Sequence, residues 1–367
     1  MVVKVSKPEL NLREKISELD KPSGVAGEAM LRAETPQEQF NLISAGRRNL
    51  FMNGDFRIAQ RGTSHTYSNS QSGYDSLDRM YSANFSSGTL ALSQQHAGHD
   101  GVDALKFLRA TTASTVGASA TVYSRQAIEG IEQFNNKQVT ISFMVKSNAY
   151  TTFQLRREYN YGSSGSSTEY DTFIDVPVTT SWTKFTHTYD AVDFSSKTIG
   201  SNNYYSIMFY WSTNQGSNKV RDGNIDITNV QIELGKVATP FEHRSYGEEL
   251  ALCQRYYYQW TGSVYDFCTE VQKHGSAEYR AVIDVPVALR LRPTISHSGL
   301  GTWYASGSLS AGFSAIGNGY QSATRTNITR VSLNLVPTSS VLAAYQVGML
   351  SADGTANEQF IAFDSEL

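Results

Sequence analysis

The feature that most constrains the fold is an alternation of apolar and polar side chains with a period of two residues. In the segment 139–145, Val, Ile, Phe and Val occupy every second position, and the segments 183–189 and 207–211 alternate in the same way. A period of two places alternate side chains on one face of a β-strand, so each segment predicts a half-buried strand. Runs rich in Gly and Ser, such as 161–167, separate the strands. Many short strands joined by such turns predict an antiparallel β-sandwich.

The segment 225–234 contains a shift in this alternation. The apolar residues of 225–227 occupy odd-numbered positions, whereas those of 230–234 occupy even-numbered positions. The alternation therefore shifts by one residue between the two groups. A shift of one residue turns side chains to the opposite face of a sheet. A β-bulge near Thr228 and Asn229 keeps all these apolar side chains on one face, and we predict a bulge there.

The composition agrees with an all-β protein and argues against several other classes. The 367 residues include 21 Tyr and 17 Phe but only 18% charged residues, which is typical of strands and polar turns rather than of a helical enzyme. A net charge of −3 argues against a nucleic-acid-binding protein, since such proteins carry a basic surface. No segment approaches the ~18 consecutive apolar residues of a transmembrane helix, so we expect a soluble protein. We expect Cys253 and Cys268 to be free thiols.

Residues 1–47 show helical rather than strand periodicity. Leu12, Ile16 and Leu19 recur at helical spacing, and the segment 35–38 (Thr-Pro-Gln-Glu) has the sequence of a helix-capping box. A segment this short cannot bury a core of its own. We therefore predict that it attaches the protein to a neighbouring protein or helps it to oligomerise.

The remaining chain divides into three parts. Residues 48–244 hold the alternating segments of the sandwich. Residues 245–260 are predicted to form a connecting helix, because Ser245 begins a capping box and apolar residues follow at spacings of three and four. Residues 261–367 are predicted to form a C-terminal β domain, since the alternation returns there. The predicted fold class is all-β: an antiparallel β-sandwich and a C-terminal β domain, with a short helical leader and a connecting helix.

Several stretches of sequence carry a resemblance to a known family. They are Arg48–Phe56 with Gln60–Gly62, Tyr74–Arg79, Val230–Gly235 with Ala238–Glu242, and Glu248–Tyr257. In this order they resemble the tail-fibre and related virion proteins of bacteriophages. The leader segments Lys21–Gly24 and Thr35–Phe40 are similar to leaders from phages of marine bacteria. The first stretch is similar to the first strand of a carbohydrate-binding jelly-roll module, and the last is the most specific match. Met80 stands where the family usually has Trp.

The resemblance implies a jelly-roll-like sandwich in a virion protein of the tail-fibre type. Such proteins are usually homotrimers that are made in the host cytoplasm, join other virion proteins through an N-terminal segment and bind host surface polysaccharide or lipopolysaccharide. We expect these partners here, and neither nucleic acid nor membrane insertion. Two alternatives stay open: a purely structural head or tail decoration or adaptor protein that binds no glycan, and a polysaccharide depolymerase.

The sequence gives little support for catalysis. Glycoside hydrolysis requires two carboxylates across a cleft. The acidic pairs close in sequence are Asp75 with Asp78, Asp171 with Asp175, and Glu248 with Glu249. Glu248 and Glu249 suit the first turn of a helix, where acidic side chains are favourable. Asp78 next to Arg79 is interpreted as a structural ion pair, and the Asp171 pair as solvated carboxylates on a strand face. We expect that the protein is not an enzyme.

Aromatic residues beside polar groups are the candidates for glycan binding. A pyranose ring stacks its C–H face on an aromatic ring while its hydroxyls bond to nearby polar side chains. The candidates are Trp303, Tyr304 and Tyr320 in the Gly-rich C-terminal segment, and Tyr159, Tyr161, Tyr204 and Tyr205 in the sandwich. The alternative is that these rings occupy half-buried sheet positions or trimer contacts. Since an N-terminally anchored fibre presents its distal end, we expect receptor contact in residues 261–367.

The interpretation requires no cofactor, but the resemblance implies a metal site. Jelly-roll carbohydrate modules often hold a structural calcium through oxygen ligands from their first and last strands. Asp55, Asp226 and Glu233 are the candidate ligands by this resemblance.

Overall fold

The computed structural model describes residues 48–98, 102–113, 121–213, 222–263, 266–274, 278–298, 303–305, 313–318, 326–337, 347–352 and 359–367. These residues form a sandwich of two β-sheets, one α-helix and a C-terminal β unit. The prediction of an antiparallel all-β fold is confirmed. The predicted leader, residues 1–47, lies outside the described residues. Within the described ranges, no helix has the length and hydrophobicity that a membrane span requires.

The sandwich is built from strands between residues 64 and 234. In chain order they are β1 (Ser64–Tyr67), β2 (Gln71–Gly73), β3 (Tyr81–Phe85), β4 (Thr89–His96), β5 (Lys106–Ala113), β6 (Thr121–Glu129), β7 (Val139–Ser147), β8 (Thr152–Asn160), β9 (Glu169–Tyr170), β10 (Ile174–Pro177), β11 (Thr183–Tyr189), β12 (Tyr204–Thr213) and β13 (Gly223–Leu234). The first sheet has the order β1-β4-β5-β13-β7-β11. The second sheet has the order β10-β8-β12-β6-β3-β2, with β9 paired to β8. A short 3-10 helix, Ile131–Phe134, follows β6.

Aromatic side chains from both sheets fill the space between them. On β12, Phe209 lies with its ring 5.6 Å from that of Phe143 on β7, and Trp211 stacks on Phe153 at 5.9 Å. These rings are fully buried, as the period-two alternation of their strands predicts. The core therefore fixes which face of each strand points inward.

The predicted β-bulge is confirmed. The pairing of β13 with β7 shifts register between Thr228 and Gln231, and Asn229 adopts a left-handed backbone conformation with φ of 53°. As a result Ile227 and Val230 are both completely buried on the same face of the first sheet. Asn is one of the few residues that adopts this conformation at low cost.

The prediction that Arg48–Phe56 forms the first strand is wrong. This segment is a turn, because Asn53 and Phe56 have positive φ angles of 58° and 54°, which a strand does not accommodate. The segment still follows β13: the Asn49 side chain bonds to two backbone groups of that strand, each at 3.0 Å. Two backbone hydrogen bonds of 2.9 Å accompany them: the Leu50 amide donates to the Ile232 carbonyl, and the Val230 amide donates to the Gly54 carbonyl.

The connecting helix is shorter than predicted. Helix α1 spans Tyr246–Gln254, and the Ser245 hydroxyl accepts a hydrogen bond from the Glu248 amide at 3.2 Å, as expected of an N-cap. The residues that follow form a strand instead of continuing the helix to residue 260. Three aromatic side chains between residues 257 and 260 favour a strand, and pairing with a strand from the end of the chain stabilises it.

The C-terminal unit contains two further antiparallel sheets. Its strands are β14 (Tyr257–Gly262), β15 (Phe267–His274), β16 (Glu278–Leu291), β17 (Thr294–His297), β18 (Trp303–Ala305), β19 (Phe313–Asn318), β20 (Thr326–Pro337), β21 (Val347–Ala352) and β22 (Gln359–Asp364). One sheet has the order β14-β22-β17 and the other β18-β21-β15-β16-β20-β19. The alternation that predicted a β domain in residues 261–367 is clearest in the segments 279–287 and 328–336, which lie in the paired strands β16 and β20.

Buried charge joins the C-terminal unit to the sandwich. The Arg79 guanidinium is 1% exposed, forms an ion pair with Glu366 and lies over the ring of Tyr256 at 3.4 Å. The predicted ion pair between Asp78 and Arg79 is not present. Asp78 instead accepts a hydrogen bond from the Gln60 amide at 2.7 Å, because the two neighbouring side chains point to different partners.

The bulge generates a prediction about stability. Replacing Asn229 by Val places a β-branched residue at a positive φ, which costs about 1–3 kcal/mol. We expect Asn229→Val to lower the thermal unfolding midpoint, measured by circular dichroism, by several degrees.

Asn229→Gly is the matched control. It also loses the hydrogen bond from the Asn229 amide to the Asp103 carbonyl at 3.1 Å, but glycine adopts the required backbone conformation freely. Equal unfolding midpoints for the two variants would contradict the role assigned to the bulge.

Candidate functional site

The outward face of the second sheet carries a band of aromatic side chains. On β12, Tyr205, Ile207 and Phe209 point into the core, so the residues between them point to the outside. We call the band the aromatic platform. Its rings belong to Tyr81, Phe85, Tyr123, Tyr170, Phe173 and Tyr210.

The rings of the platform contact one another across neighbouring strands. The Tyr123 ring centroid lies 6.4 Å from those of both Tyr81 and Phe85, and 5.5 Å from that of Tyr210. Phe173 meets Tyr210 edge-on, with centroids 4.9 Å apart. The platform therefore crosses β3, β6 and β12 and reaches the segment before β10.

Strand register explains how these rings come together. Tyr123 on β6 pairs with Tyr210 on β12 and with Ala83 on β3. Because Ala83 has only a methyl side chain, the Tyr123 ring lies between those of Tyr81 and Phe85, which flank Ala83 on the same face. One small residue thus makes room for three rings.

The two ends of the platform are open to solvent, whereas its centre is embedded. Phe85 is 47% exposed and Tyr170 is 45% exposed, while Tyr210 between them is only 5% exposed. Tyr81, Tyr123 and Phe173 are half-buried. At one end, Phe85 and the half-buried rings of Tyr81 and Tyr123 form a contiguous aromatic patch, and such patches mark interaction surfaces.

A buried acidic group lies beneath the rings. The Glu158 carboxylate is 3% exposed, forms an ion pair with Arg125 and accepts hydrogen bonds from the hydroxyls of Ser206 at 2.6 Å and Tyr170 at 3.2 Å. The Arg125 guanidinium in turn lies 5.0 Å from the Tyr81 ring centroid. This network holds the rings around it in place.

A second arginine lies at one end of the platform. The Arg156 guanidinium lies 4.6 Å from the ring centroid of Tyr170 and 4.8 Å from that of Phe173. Its Nε donates to the backbone carbonyl of Asp171 at 2.9 Å. Cation–π contacts on two sides fix the position of the charge.

An amide side chain adds hydrogen-bonding capacity beside these rings. Gln154 pairs with Tyr210 across the strands, and its Nε2 donates to Asp175 at 2.8 Å. In the described part of the chain its Oε1 is buried and has no hydrogen-bond partner. A buried acceptor without a partner costs free energy, which a donor from a bound molecule would recover.

The hydroxyls of Tyr123, Tyr170 and Tyr210 remain protonated at neutral pH. Burial raises the pKa of Tyr170 to about 12 and also raises the pKa values of Tyr123 and Tyr210. Their hydroxyls are therefore available both to donate and to accept hydrogen bonds. Flat rings with such groups at their edges suit a ligand that has both C–H faces and hydroxyls.

The glycan-binding candidates predicted in the sandwich are mostly core residues. Tyr161 and Tyr205 are completely buried and Tyr159 is 3% exposed, so these rings present no face to a ligand. Their burial does not support a role in ligand contact, and Tyr159 and Tyr205 occupy strand positions while Tyr161 follows β8. Tyr204 is 8% exposed and lies on the platform side, 4.7 Å from the Arg125 guanidinium.

The structure shows no exposed binding site at the described candidates of the C-terminal unit. Trp303 lies in the Gly-rich segment, but it begins strand β18 and is completely buried, with its ring 5.6 Å from that of Trp260. Tyr304 follows it in the same strand. Tyr320 lies outside the described residues.

The three predicted calcium ligands have separate partners. Asp226 accepts two hydrogen bonds from Arg109, at 2.7 and 2.8 Å. Asp55 pairs with Arg57 at 2.9 Å, and Glu233 accepts from the Thr239 amide at 3.0 Å. Among the residues that the structure describes, no group of three His, Cys, Asp or Glu side chains is placed to hold a metal ion. Calcium binding stays a prediction, and the three carboxylates do not form a common site.

The acidic pairs considered for catalysis also have structural partners. Asp171 pairs with Arg157 at 2.6 Å, and Asp175 lies on β10 rather than on a strand shared with Asp171. Glu249 is 4% exposed and accepts a hydrogen bond from the Asn53 amide at 2.5 Å. These contacts join α1 and the loops to the sheets.

Most platform residues were missed in the sequence, although a signal for them exists. In the period-two alternation, Tyr210 falls on the opposite face of its strand from Ile207 and Phe209. Tyr123 likewise falls on the opposite face from Val122. An aromatic residue at a position that alternation assigns to solvent is the signal. The signal lies on the outer faces of strands, where the strand alternation itself gives no reason to expect a binding site.

Comparisons with known proteins give low similarities. No family model matches the chain, and no curated protein matches its sequence. Among solved structures, the fold is similar to the enzymatically active domain of tailspike protein 4 of bacteriophage CBA120, with 13% identity and a TM-score of 0.31 over 51% of this chain and 21% of that chain. The match thus spans about a fifth of the tailspike chain.

Two bacterial domains give similar values. The CBM22-1 xylan-binding domain from Paenibacillus barcinonensis is 12% identical, with a TM-score of 0.29 over 52% of this chain and 96% of that chain. A putative sugar binding protein from Bacteroides thetaiotaomicron is 13% identical, with a TM-score of 0.33 over 51% of this chain and all of that chain. Each match covers about half of this chain.

The burial of Trp303 generates a prediction. Because its ring fills the core of the C-terminal unit, Trp303→Ala should lower the free energy of unfolding by about 3–5 kcal/mol. Chemical denaturation monitored by fluorescence measures this change.

Phe267→Ala is the control, since Phe267 is a large aromatic residue of the same unit that is 52% exposed. We expect a change of about 0.5 kcal/mol or less for this variant. A Trp303→Ala protein with unaltered stability would restore this residue as a candidate for ligand contact.

Proposed function

We propose that this chain is a glycan-binding virion protein of the phage tail-fibre type, which binds host surface polysaccharide on the aromatic platform and does not cleave it. The virion role, the homotrimer and the attachment through residues 1–47 rest on the sequence resemblance. The glycan-binding role rests on the platform itself.

The observation that carries the proposal is the row of rings from Phe85 through Tyr123 to Phe173. The open rings lie at the two ends of this row, on either side of the buried Tyr210, so each end can contact a different sugar unit of a chain. Polar groups lie along the row, among them the Arg156 guanidinium and the Gln154 amide. Stacking surfaces with adjacent hydrogen-bonding groups are what carbohydrate recognition requires.

The expected strength of binding agrees with an adsorption function. One aromatic contact contributes about 1–3 kcal/mol, so a single platform binds weakly. Three copies in a trimer bind a repetitive polysaccharide simultaneously, and the affinities combine through the high effective concentration. Weak individual sites thus give firm attachment to a cell surface.

The carboxylates near the platform support binding rather than hydrolysis. Glycoside hydrolysis requires a free acid and a free base or nucleophile on opposite sides of the scissile bond. Glu158 is buried in an ion pair with Arg125, and Asp175 accepts a hydrogen bond from Gln154. Both acids therefore serve to hold the platform.

The central prediction concerns two platform rings. The double variant Phe85→Ala, Tyr123→Ala removes an exposed end and the ring that contacts it, so we expect the affinity for glycan to fall at least about tenfold. An array of bacterial capsular polysaccharides and O-antigens identifies the strongest binder for the wild-type protein. Calorimetric titration with an oligosaccharide of that binder measures the affinity of each variant.

Trp182→Ala is the matched control. Trp182 immediately precedes β11, and its half-buried ring lies against the first sheet, 5.4 Å from the ring of Phe107 on β5. We expect this variant to bind normally. If Trp182→Ala abolishes binding and the double variant does not, the glycan site lies on the first sheet. New reducing ends in the titrated mixture would favour the depolymerase alternative.

The assembly part of the proposal has its own test. Light scattering on the full chain should give three times the 40.5 kDa of one chain, and antibodies against it should label phage particles in electron micrographs. A monomer at micromolar concentration would contradict the trimer, and unlabelled particles would contradict the virion role. Neither result would affect the glycan-binding prediction.

A further inference from the structure

Arg156 is a partly buried cation without a carboxylate partner in the described part of the chain. Its contacts are two aromatic rings, the Asp171 carbonyl and the hydroxyl of Tyr210. Charged groups that are withdrawn from water are normally paired with an opposite charge. The position of Arg156 therefore requires an explanation.

The acidic side chains around Arg156 bond to other groups. Asp171 pairs with Arg157 at 2.6 Å. Glu158 pairs with Arg125, and Asp175 accepts a hydrogen bond from Gln154 at 2.8 Å. The positive charge of Arg156 is thus left without a direct counter-ion at one end of the platform.

The aromatic neighbours also orient the guanidinium. The ring centroids of Tyr170 and Phe173 lie 4.6 and 4.8 Å from the guanidinium, and Nε donates a hydrogen bond to the Asp171 carbonyl. These contacts hold the side chain in one position. A guanidinium has five N–H donors, and within the described ranges the bonds to the Asp171 carbonyl and the Tyr210 hydroxyl occupy two of them. A preorganised guanidinium binds a carboxylate through two parallel hydrogen bonds.

We propose that the platform selects acidic glycans, and that Arg156 binds the carboxylate of a hexuronic acid unit whose neighbours stack on the rings. The inference rests on the proposed function, because it names the class of glycan for the same site. Tyr170, which is 45% exposed and lies against Arg156, is the ring closest to the acidic unit. Arg156 thus sets specificity, while the remaining rings supply contact area.

The experiment compares each acidic polysaccharide that the wild-type protein binds with its carboxyl-reduced form, in which every uronic acid has become a neutral hexose. Wild-type protein should bind the reduced form at least about tenfold more weakly. Arg156→Gln should bind both forms equally, with the affinity that the wild type has for the reduced form. Arg156→Lys should fall between the two, since it keeps the charge without the paired donors.

Lys184→Gln is the matched control, because Lys184 is an exposed cation on β11 of the first sheet. It removes the same charge and should leave the preference for the acidic form unchanged. Retained binding of the reduced form by Arg156→Gln shows that this variant keeps the platform folded.

The outcomes separate the inference from the proposed function. Equal wild-type binding of the acidic and reduced forms would overturn the role of Arg156 but leave the glycan-binding proposal standing. If Lys184→Gln also loses the preference for the acidic form, that preference arises from the overall charge of the protein, and the inference is overturned. Absence of wild-type binding to every glycan on the array would overturn both.

Discussion

The alternation of side chains along β12 is the constraint on which both the core and the candidate site depend. Tyr205, Phe209 and Trp211 point inward, where Phe209 packs edge-on against Phe143 of the facing sheet, while Tyr204 and Tyr210 point outward. A slip of one residue would place the outward tyrosines in the core and expose a Trp. The packing energy of the inner rings thus fixes the geometry of the outer ones.

The second element that orders the molecule is the buried charge where the sandwich meets the C-terminal unit. Arg79 and Glu366 are both shielded from solvent, and Arg61 adds hydrogen bonds to Asp364 at 3.0 Å and to Glu366 at 3.3 Å. Removing one partner of a buried ion pair leaves an uncompensated charge, which costs about 3–5 kcal/mol. The end of the chain is therefore tied to the segment between β2 and β3 of the sandwich.

The local pattern of the sequence predicted the strands and the bulge more accurately than it predicted the candidate functional site. The bulge at Asn229 and the strands β7, β11 and β16 were predicted because alternation is a property of neighbouring residues. The end of α1 was placed too late, because residues beyond Gln254 pair with β22, about 100 positions further along the chain. Strand pairing between residues so far apart in the sequence cannot be recognised in a short window of residues.

The sequence by itself determined the all-β class, the position of the bulge and the set of side chains that alternate. Only the tertiary structure decided which aromatic residues are exposed. Tyr204 faces the platform, whereas its neighbour Tyr205 faces the core. Trp303 is completely buried, although the sequence around it is rich in Gly and Ser. The physical reason is that alternation divides a strand into two faces, whereas the packing of a second sheet determines which face is covered.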